Sequence, residues 1–353
     1  MGTRIYLCEH CGQTVTLPNS CGDRHCPKCQ AGKRAAWLAK RREELLPVEY
    51  FQVVFTVPEE LNILAAAHPK VFYTLLFRAV KDTLLEVAAS AKHLRAAIGG
   101  LMVLHTWGQN LHLHPHVHVI LPGGGLSPDG QRWVACPRGF FLPNRVLSEV
   151  FRGKLLDFIK QEHAAGQLPM TGGLADLADP GRFMQWLSPR YQTDWVVHTE
   201  PSNDRDPQQA LKYLARYTYR VAISNDRIES IDRGQVTFRY KDYARGGRWR
   251  RMTLSAEEFL RRFLQHVLPT GFVRIRAFGF LANRHRAEKL MLIRRLLGAS
   301  ELAAESAVAP IMDDRPCCPH CAEPALRLLG ETARPSVQRL VESTYPAKIL
   351  DSS

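Results

Sequence analysis

The fold prediction for this sequence rests on residues 101–121, LMVLHTWGQNLHLHPHVHVIL. Two runs rich in apolar residues, 101–107 and 111–121, flank the turn-forming segment 108–110. Strand-like runs joined by such a short connection predict an antiparallel hairpin. A sheet built around this hairpin is the first expectation.

Elements with helical periodicity lie on both sides of the hairpin along the chain. The patterns predict a strand from Tyr50, helices over 59–67, 70–96 and 147–165, a strand over 193–200, a helix over 206–217, short strands within 219–254 and a helix over 283–297. Ser255 followed three residues later by Glu258 is a capping box, which predicts a further helix to about residue 267. This mixture predicts an α+β fold.

Histidines alternate with other residues on the second run of the hairpin. Residues two apart on a strand leave the same face about 7 Å apart at the backbone, so His116 and His118 could share one metal ion. His105 on the preceding run is a candidate third ligand. Because the register is not fixed by the sequence, three competitors stay open: His112, Gln109 and Gln52.

Two tyrosines stand four residues apart in ALKYLARYTYR, residues 210–220. On a helix, this spacing places the phenols of Tyr213 and Tyr217 on one face, and Arg216 and Arg220 accompany them as phosphate ligands. Two core aromatics at helical spacing are the alternative interpretation. Together with the histidine pair, the tyrosines predict attack of a phenol oxygen on a DNA phosphodiester, which leaves a 5′-phosphotyrosine and a 3′-hydroxyl. Mg²⁺ or Mn²⁺ would orient the scissile phosphate.

Cysteines cluster near both ends of the chain. Cys8-x2-Cys11 and Cys26-x2-Cys29 form a CxxC…CxxC pair, which predicts a tetrahedral, structural Zn²⁺ site. Spare candidate ligands to this site are Cys21 and His25. A weaker candidate for a second site consists of Cys317, Cys318, His320 and Cys321.

The charge of the chain is positive and localised. Lys plus Arg number 47 against 34 Asp plus Glu, and between Arg205 and Leu297 there are 21 basic and 8 acidic residues, 21 − 8 = +13, which equals the net charge of the whole chain. An arginine-rich surplus of this kind predicts a nucleic-acid partner. The start MGTRIYLCEHCG lacks an apolar signal-peptide core, and no run approaches the roughly 18 to 20 apolar residues of a membrane span. We therefore expect a cytoplasmic protein that has no membrane partner.

Three motifs in order give the chain a family resemblance. They are VVFTVP at 53–58, HPHVHVILPGGG at 114–125 and YLARYTYRVAIS at 213–224. With them the chain resembles the two-tyrosine HUH transposases of rolling-circle insertion sequences, the IS91 type, which carry an N-terminal zinc-binding domain. The resemblance runs from Cys8 to Gly298 and includes CGDRHCPKCQ, HTWGQNLHLHPHVH, YKDYARGG and FVRIRAFGFLANRHR.

The resemblance implies an HUH-endonuclease core, an antiparallel sheet with flanking helices, preceded by a small zinc-binding module. It implies His116 and His118 as metal ligands and Tyr213 and Tyr217 as nucleophiles, with His105 as third ligand by analogy to relaxase-like relatives. The implied partner is single-stranded DNA at transposon ends and target, in the bacterial cytoplasm at the nucleoid.

The expected organisation has three parts. Residues 1–48 form the zinc-binding module and a connecting helix, residues 49–298 form the HUH tyrosine transposase domain with a basic C-terminal part, and residues 299–353 form a linker, a Cys-rich cluster and a flexible tail.

Two other functions fit parts of the pattern. A plasmid relaxase or rolling-circle replication initiator would use the same nicking chemistry, but the N-terminal cysteines and the absence of a GxxxxGK[ST] motif count against it. A non-catalytic zinc-dependent DNA-binding protein is the other alternative. It predicts DNA binding that survives loss of both tyrosines, without a covalent adduct.

Overall fold

The computed structural model describes most of the chain. The described residues are 2–19, 26, 29, 37–201, 222–299 and 317–332. The predicted helix over 206–217, most of the expected linker and the expected tail from residue 333 lie outside them. No helix in the described ranges is long and apolar enough to cross a membrane.

The chain divides into two compact units. One is formed by Met1–Gly32 together with Leu302–Ser353, and the other by Lys33–Glu301. The expected organisation placed the two ends of the chain in separate parts, whereas the structure groups both ends in the smaller unit.

The strands and helices are labelled in chain order. The strands are β1 (Thr3–Cys8), β2 (Thr14–Pro18), β3 (Tyr50–Thr56), β4 (Gly99–Trp107), β5 (Leu113–Pro122), β6 (Gly124–Leu126), β7 (Trp133–Ala135), β8 (Val197–Pro201), β9 (Ile228–Asp232), β10 (Gln235–Asp242), β11 (Arg248–Ser255), β12 (Ile275–Gly279) and β13 (Leu326–Glu331). The helices are α1 (Asn62–Ala67), α2 (Pro69–Ala89), α3 (Asn144–Ala164), α4 (Pro180–Leu187), α5 (Ala256–Leu264) and α6 (Arg286–Leu296).

The larger unit is built on a five-stranded sheet in the order β12-β4-β5-β3-β8, and each neighbouring pair is antiparallel. Its centre is the predicted hairpin, which consists of β4 and β5. The predicted α+β fold, an antiparallel sheet with flanking helices and a small cysteine-rich module, is confirmed.

Alternation along the central strands separates two faces of the sheet. On one face, apolar side chains pack against α2 and α3, as in the edge-to-face contact between Phe55 and Phe151, whose ring centroids lie 5.0 Å apart. Burying each such side chain contributes about 1.5–3 kcal/mol. The core on this face includes Phe51, Val53, Phe55, Val117, Val119 and Leu121. The opposite face carries the predicted histidines.

Helix α2 ends earlier than the sequence pattern predicts. The pattern extended to residue 96, but the helix stops at Ala89, where the Ser90 backbone turns to an extended conformation. Ala96 and Ile98 beyond it are buried in the core without being helical, so their apolar character imitates helical periodicity. By contrast, Ser255 caps α5 as predicted, since its Oγ accepts a hydrogen bond from the amide of Glu258 at 3.2 Å.

A smaller sheet, in the order β11-β10-β9, packs with α5 beside the turn between β4 and β5. Its core includes Phe238, which is fully buried and shares a cluster with Trp107 and Leu111. The turn that joins the two histidine-bearing strands is therefore held by this second sheet.

Candidate functional site

The candidate metal site lies on the face of the central sheet that does not contact α2 and α3. His105 stands directly opposite His116 in the β4–β5 ladder, and His118 stands opposite Val103 two residues further on. Directly opposite residues share a face, so all three imidazoles project to the same side. Each offers a ring nitrogen within 4.8 Å of the others.

The site is largely removed from solvent. His105 is 2% exposed and His118 is 6% exposed, while His116 is half-buried. Trp107 covers one side, because its ring is stacked on that of His105 with 4.8 Å between centroids. A buried imidazole cluster that stays accessible through one member is suited to binding an ion that must also reach a substrate.

Hydrogen bonds define which nitrogen would bind a metal. Nδ1 of His116 lies 2.7 Å from the carbonyl oxygen of His114, so this nitrogen carries the proton and donates it. Nδ1 of His118 lies 2.9 Å from Nε2 of Gln52, an amide nitrogen that donates to the ring in this arrangement. His116 would therefore present Nε2 to an ion, an arrangement in which the partner on the second nitrogen orients the ligand. His118 would do the same once the Gln52 amide is turned so that its oxygen accepts a proton from Nδ1.

The structure brings His105, and not its competitors, into the group. Gln52 contacts His118 as a hydrogen-bond partner, and the carbonyl oxygen of Gln109 accepts from Arg227. His112 lies in the turn, where burial and the nearby charge of Arg262 lower the pKa of its imidazole.

A second group, of four cysteines, lies in the smaller unit. Cys8, Cys11, Cys318 and Cys321 offer sulfur atoms within 4.8 Å of one another. The Sγ atoms of Cys8 and Cys321 are 3.6 Å apart, and those of Cys11 and Cys318 are 3.7 Å apart. Four thiolates at the usual Zn–S distance would be separated by about 3.8 Å, so the spacing fits one Zn²⁺.

The predicted zinc ligands are therefore corrected in part. Cys8 and Cys11 are in the group, but Cys26 and Cys29 are not, and Cys318 and Cys321 complete it. The cause is the pairing of β1 with β13, in which Cys8 stands opposite Leu326 and the C-terminal cysteines are brought beside the N-terminal pair. Cys21 and His25 lie outside the described residues.

The two cysteine pairs are built alike. The amide of Gly12 donates to the carbonyl of Cys8 at 2.9 Å, and the amide of Ala322 donates to that of Cys318 at 2.8 Å. Both Gly12 and Ala322 have positive φ, 70° and 63°. The repeated CxxC followed by a small residue is the signal in the sequence that pairs the two ends.

Local hydrogen bonding also prepares Cys8 for metal binding. The amide of Cys11 lies 3.4 Å from Sγ of Cys8, and this backbone donor is the main reason that the pKa of the Cys8 thiol falls to about 6. The thiolate is the form that binds metal, and this lowering applies to Cys8, whereas burial and the neighbouring thiols raise the pKa of Cys11 and of Cys321.

The remaining predicted site residues lie outside the described part of the chain. They are Tyr213, Tyr217, Arg216 and Arg220. Two described sets of residues have a different role from the predicted one. Gln52, a candidate ligand, is a hydrogen-bond partner of His118, and Cys318 and Cys321, candidates for a second site, join Cys8 and Cys11 in one group.

Comparisons with known proteins identify what the chain is similar to. A family model described as a putative transposase matches residues 99–289, and one described as a transposase zinc-binding domain matches residues 1–57. The putative transposase y4qJ of Sinorhizobium fredii is 49% identical over 88% of this chain and 78% of its own length. The transposase for insertion sequence element IS801 of Pseudomonas savastanoi pv. phaseolicola is 30% identical over 80% of this chain and 67% of its own length.

One solved structure is also similar at low level. It is TrwC complexed with a 27-mer DNA comprising the recognition hairpin and the cleavage site, 15% identical, with 69% of this chain and 73% of that chain covered. The TM-score is 0.24.

Proposed function

Because the chain belongs to the IS91-type transposases with an N-terminal zinc-binding domain, we propose that it nicks and rejoins single-stranded DNA in rolling-circle transposition. The proposed chemistry is metal-assisted transesterification through a 5′-phosphotyrosine intermediate. The observation that carries it is the convergence of His105, His116 and His118 within 4.8 Å on one face of the central sheet.

The histidine group fits a divalent ion. Its nitrogens are close enough to share one ion, and the hydrogen bond from Nδ1 of His116 to the carbonyl oxygen of His114 orients that ring for binding through Nε2. Three protein ligands leave coordination positions for phosphate oxygens, as in catalytic rather than structural sites. The ion, Mg²⁺ or Mn²⁺, would supply charge to the scissile phosphate.

Tyr213 and Tyr217 are the proposed nucleophiles. A phenol oxygen forms a bond to phosphorus while the bond from phosphorus to the 3′ oxygen breaks; the phenol proton is lost to solvent, and the departing oxygen takes one up as a hydroxyl. The 3′-hydroxyl later attacks the phosphotyrosine and restores the diester. Two tyrosines allow two successive transfers, and Arg216 and Arg220 are proposed to hold the adjoining phosphates.

The proposed substrate is DNA at the transposon ends and at the target, within the bacterial cytoplasm at the nucleoid. The basic surplus of 21 − 8 = +13 between Arg205 and Leu297 supports a polyanionic partner. The four-cysteine group supports a structural role for Zn²⁺, separate from the chemistry at the histidines.

The test is formation of a covalent protein–DNA adduct. Labelled single-stranded DNA that spans candidate element ends is incubated with the protein and Mn²⁺ or Mg²⁺, and the products are separated on a denaturing gel. A metal-dependent adduct that is absent from Tyr213→Phe/Tyr217→Phe is the expected result.

His116→Ala tests the metal site while both tyrosines stay in place. This variant should bind DNA but form no adduct. Phe140→Ala, at an exposed loop residue, is the control that should behave as the unaltered protein. Tight binding of every tested end without an adduct would overturn the proposal and favour a non-catalytic DNA-binding protein.

A further inference from the structure

The hairpin formed by β10 and β11 exposes large aromatic side chains. Trp249 is 56% exposed and Tyr243, just after β10, is 68% exposed. Trp249 lies on the face of the small sheet opposite to the one that buries Phe238, since it pairs with Lys241 and alternates with the buried positions. Exposure of large aromatic rings to water is unfavourable, so two exposed rings in one hairpin favour a binding surface.

The same hairpin is strongly basic. Between Gln235 and Ser255 there are six basic residues and one acidic residue, 6 − 1 = +5. The acidic residue, Asp242, pairs with Arg250 at 3.2 Å. Glu229 on the adjacent strand β9 pairs with Arg239 at 3.4 Å and with Arg251 at 2.7 Å. Among the described residues, Arg245 and Arg248 make no ion pair with a carboxylate. Positive charge therefore remains beside the aromatic rings.

Cations flank the exposed indole directly. The Cζ atom of Arg239 and the Nζ atom of Lys241 each lie 5.7 Å from the centroid of the Trp249 ring. A base that stacked on this ring would have its phosphates within reach of basic side chains. Aromatic rings between cationic groups are the arrangement by which proteins bind single-stranded nucleic acid.

The hairpin is attached to the candidate metal site. The guanidinium of Arg227 donates both to the carbonyl of Arg239 on β10, at 2.8 Å, and to the carbonyl of Gln109 in the turn between β4 and β5. Phe238 packs in one cluster with Trp107, whose ring is stacked on His105. DNA held by the hairpin would thus be fixed relative to the histidines.

We propose that the exposed face of β10–β11 is a second contact surface for single-stranded DNA, apart from the nicking centre. Trp249 and Tyr243 stack on unpaired bases, and Lys241, Arg245 and Arg248 contact phosphates. Single strands fit better than duplex because a stacked aromatic ring needs the face of a base, which pairing and stacking hide in a duplex. The inference rests on the proposed function only in taking DNA as the substrate.

The test is a binding measurement in EDTA, so that no cleavage occurs. Fluorescence anisotropy of a labelled 30-nucleotide single strand of mixed sequence gives the Kd. Trp249→Ala should weaken binding by about tenfold or more, as expected for one lost stacked base. Phe140→Ala removes a comparably exposed aromatic side chain, 51% exposed, and should leave the Kd unchanged.

A salt titration tests the phosphate contacts. Arg248→Ala should lower the slope of log K against log salt by about 0.7, the value for one phosphate contact on a single strand. Arg145→Ala, an exposed arginine on α3, should leave the slope unchanged. Thermal unfolding of each variant shows that the fold is kept.

An unchanged Kd for Trp249→Ala, or an equal loss of affinity for duplex and single strand, would overturn the inference. Its failure can be told apart from failure of the proposed function. If the unaltered protein forms an adduct and Trp249→Ala binds DNA normally, only the hairpin surface is rejected. If the unaltered protein forms no adduct and Trp249→Ala binds DNA more weakly, only the nicking chemistry is rejected.

Discussion

Gln52 shows how a single residue outside the ligand set can govern the candidate metal site. Its Nε2 lies 2.9 Å from Nδ1 of His118 across the β3–β5 ladder, and a half-turn of the amide places its oxygen there instead. For His118 to bind a metal through Nε2, Nδ1 must carry the proton, and the amide of Gln52 accepts it when its oxygen faces the ring. Gln52 is therefore a positioning residue rather than a ligand.

Replacement of Gln52 tests this role. Gln52→Leu should weaken Mn²⁺ binding by about 10- to 100-fold because the ring loses its orienting acceptor, whereas Gln52→Glu keeps an acceptor and should retain binding. Isothermal titration with Mn²⁺ measures both, and Gln161→Leu on the surface of α3 is the control. Equal affinities for the Leu variant and the unaltered protein would contradict the assignment.

The ligand type also predicts which ion serves best. In the described residues, the group consists of three imidazoles without a carboxylate. Imidazole nitrogen suits Mn²⁺ better than Mg²⁺, which prefers oxygen. Half-maximal nicking should therefore need about tenfold less Mn²⁺ than Mg²⁺. Identical concentration dependence for the two ions would show that the histidines do not dominate ion binding.

At the scale of elements, the approach of β12 to the segment before β4 depends on a glycine. Gly279 has φ of 60°, and a Cβ on it would lie 1.8 Å from the carbonyl oxygen of Ile98. A side chain here would push apart the strands that hold His105. The predicted hairpin thus needs a close backbone contact with a strand more than 150 residues further along the chain, since 279 − 98 = 181.

Gly279→Ala should lower the free energy of unfolding by about 2–4 kcal/mol, through overpacking and backbone strain. Gly153→Ala, within α3 and with nothing within 4 Å of the added Cβ, should instead raise it by about 0.5–1 kcal/mol. Denaturant unfolding of the two variants measures both changes in the free energy of unfolding. Equal unfolding midpoints would contradict the close packing of Gly279 against Ile98.

At the scale of the whole molecule, two cysteine pairs from distant parts of the chain form one candidate zinc site, the metal module. Cys8 and Cys11 lie more than 300 residues from Cys318 and Cys321, for example 318 − 8 = 310. The module therefore closes only when both ends of the chain are present.

Cys318→Ser/Cys321→Ser should release about one equivalent of Zn²⁺ per chain, because two of four ligands are lost. Cys317→Ser is the matched control, since Cys317 is exposed and outside the group. Zinc content by mass spectrometry measures both. Full zinc retention in the double variant would show that residues other than Cys318 and Cys321 hold the zinc.

Local patterns predicted much of this molecule. The hairpin, the histidine pair and the Ser255 cap follow from residues close in sequence. The spacing of the cysteines alone did not predict the zinc partners, because the pairing of β1 with β13 joins distant segments. Only the small residue after each CxxC, Gly12 and Ala322, links the two pairs in the sequence. The predicted end of α2 was wrong. Ala96 and Ile98 are buried by packing in the core although they are not helical, and their apolar character resembles a continuation of the helical pattern.

The proposed chemistry joins a tyrosine of residues 213–220 to DNA, and the positions of the tryptic cleavage sites allow this bond to be detected directly. Trypsin cuts after Lys212, Arg216 and Arg220, which leaves Tyr213 in YLAR and Tyr217 in YTYR. After nicking, nuclease trimming and trypsin, mass spectrometry of these peptides should find one or both carrying a 5′-linked nucleotide, with fragmentation placing it on Tyr213 or Tyr217. Cut DNA with both peptides unmodified would contradict the account.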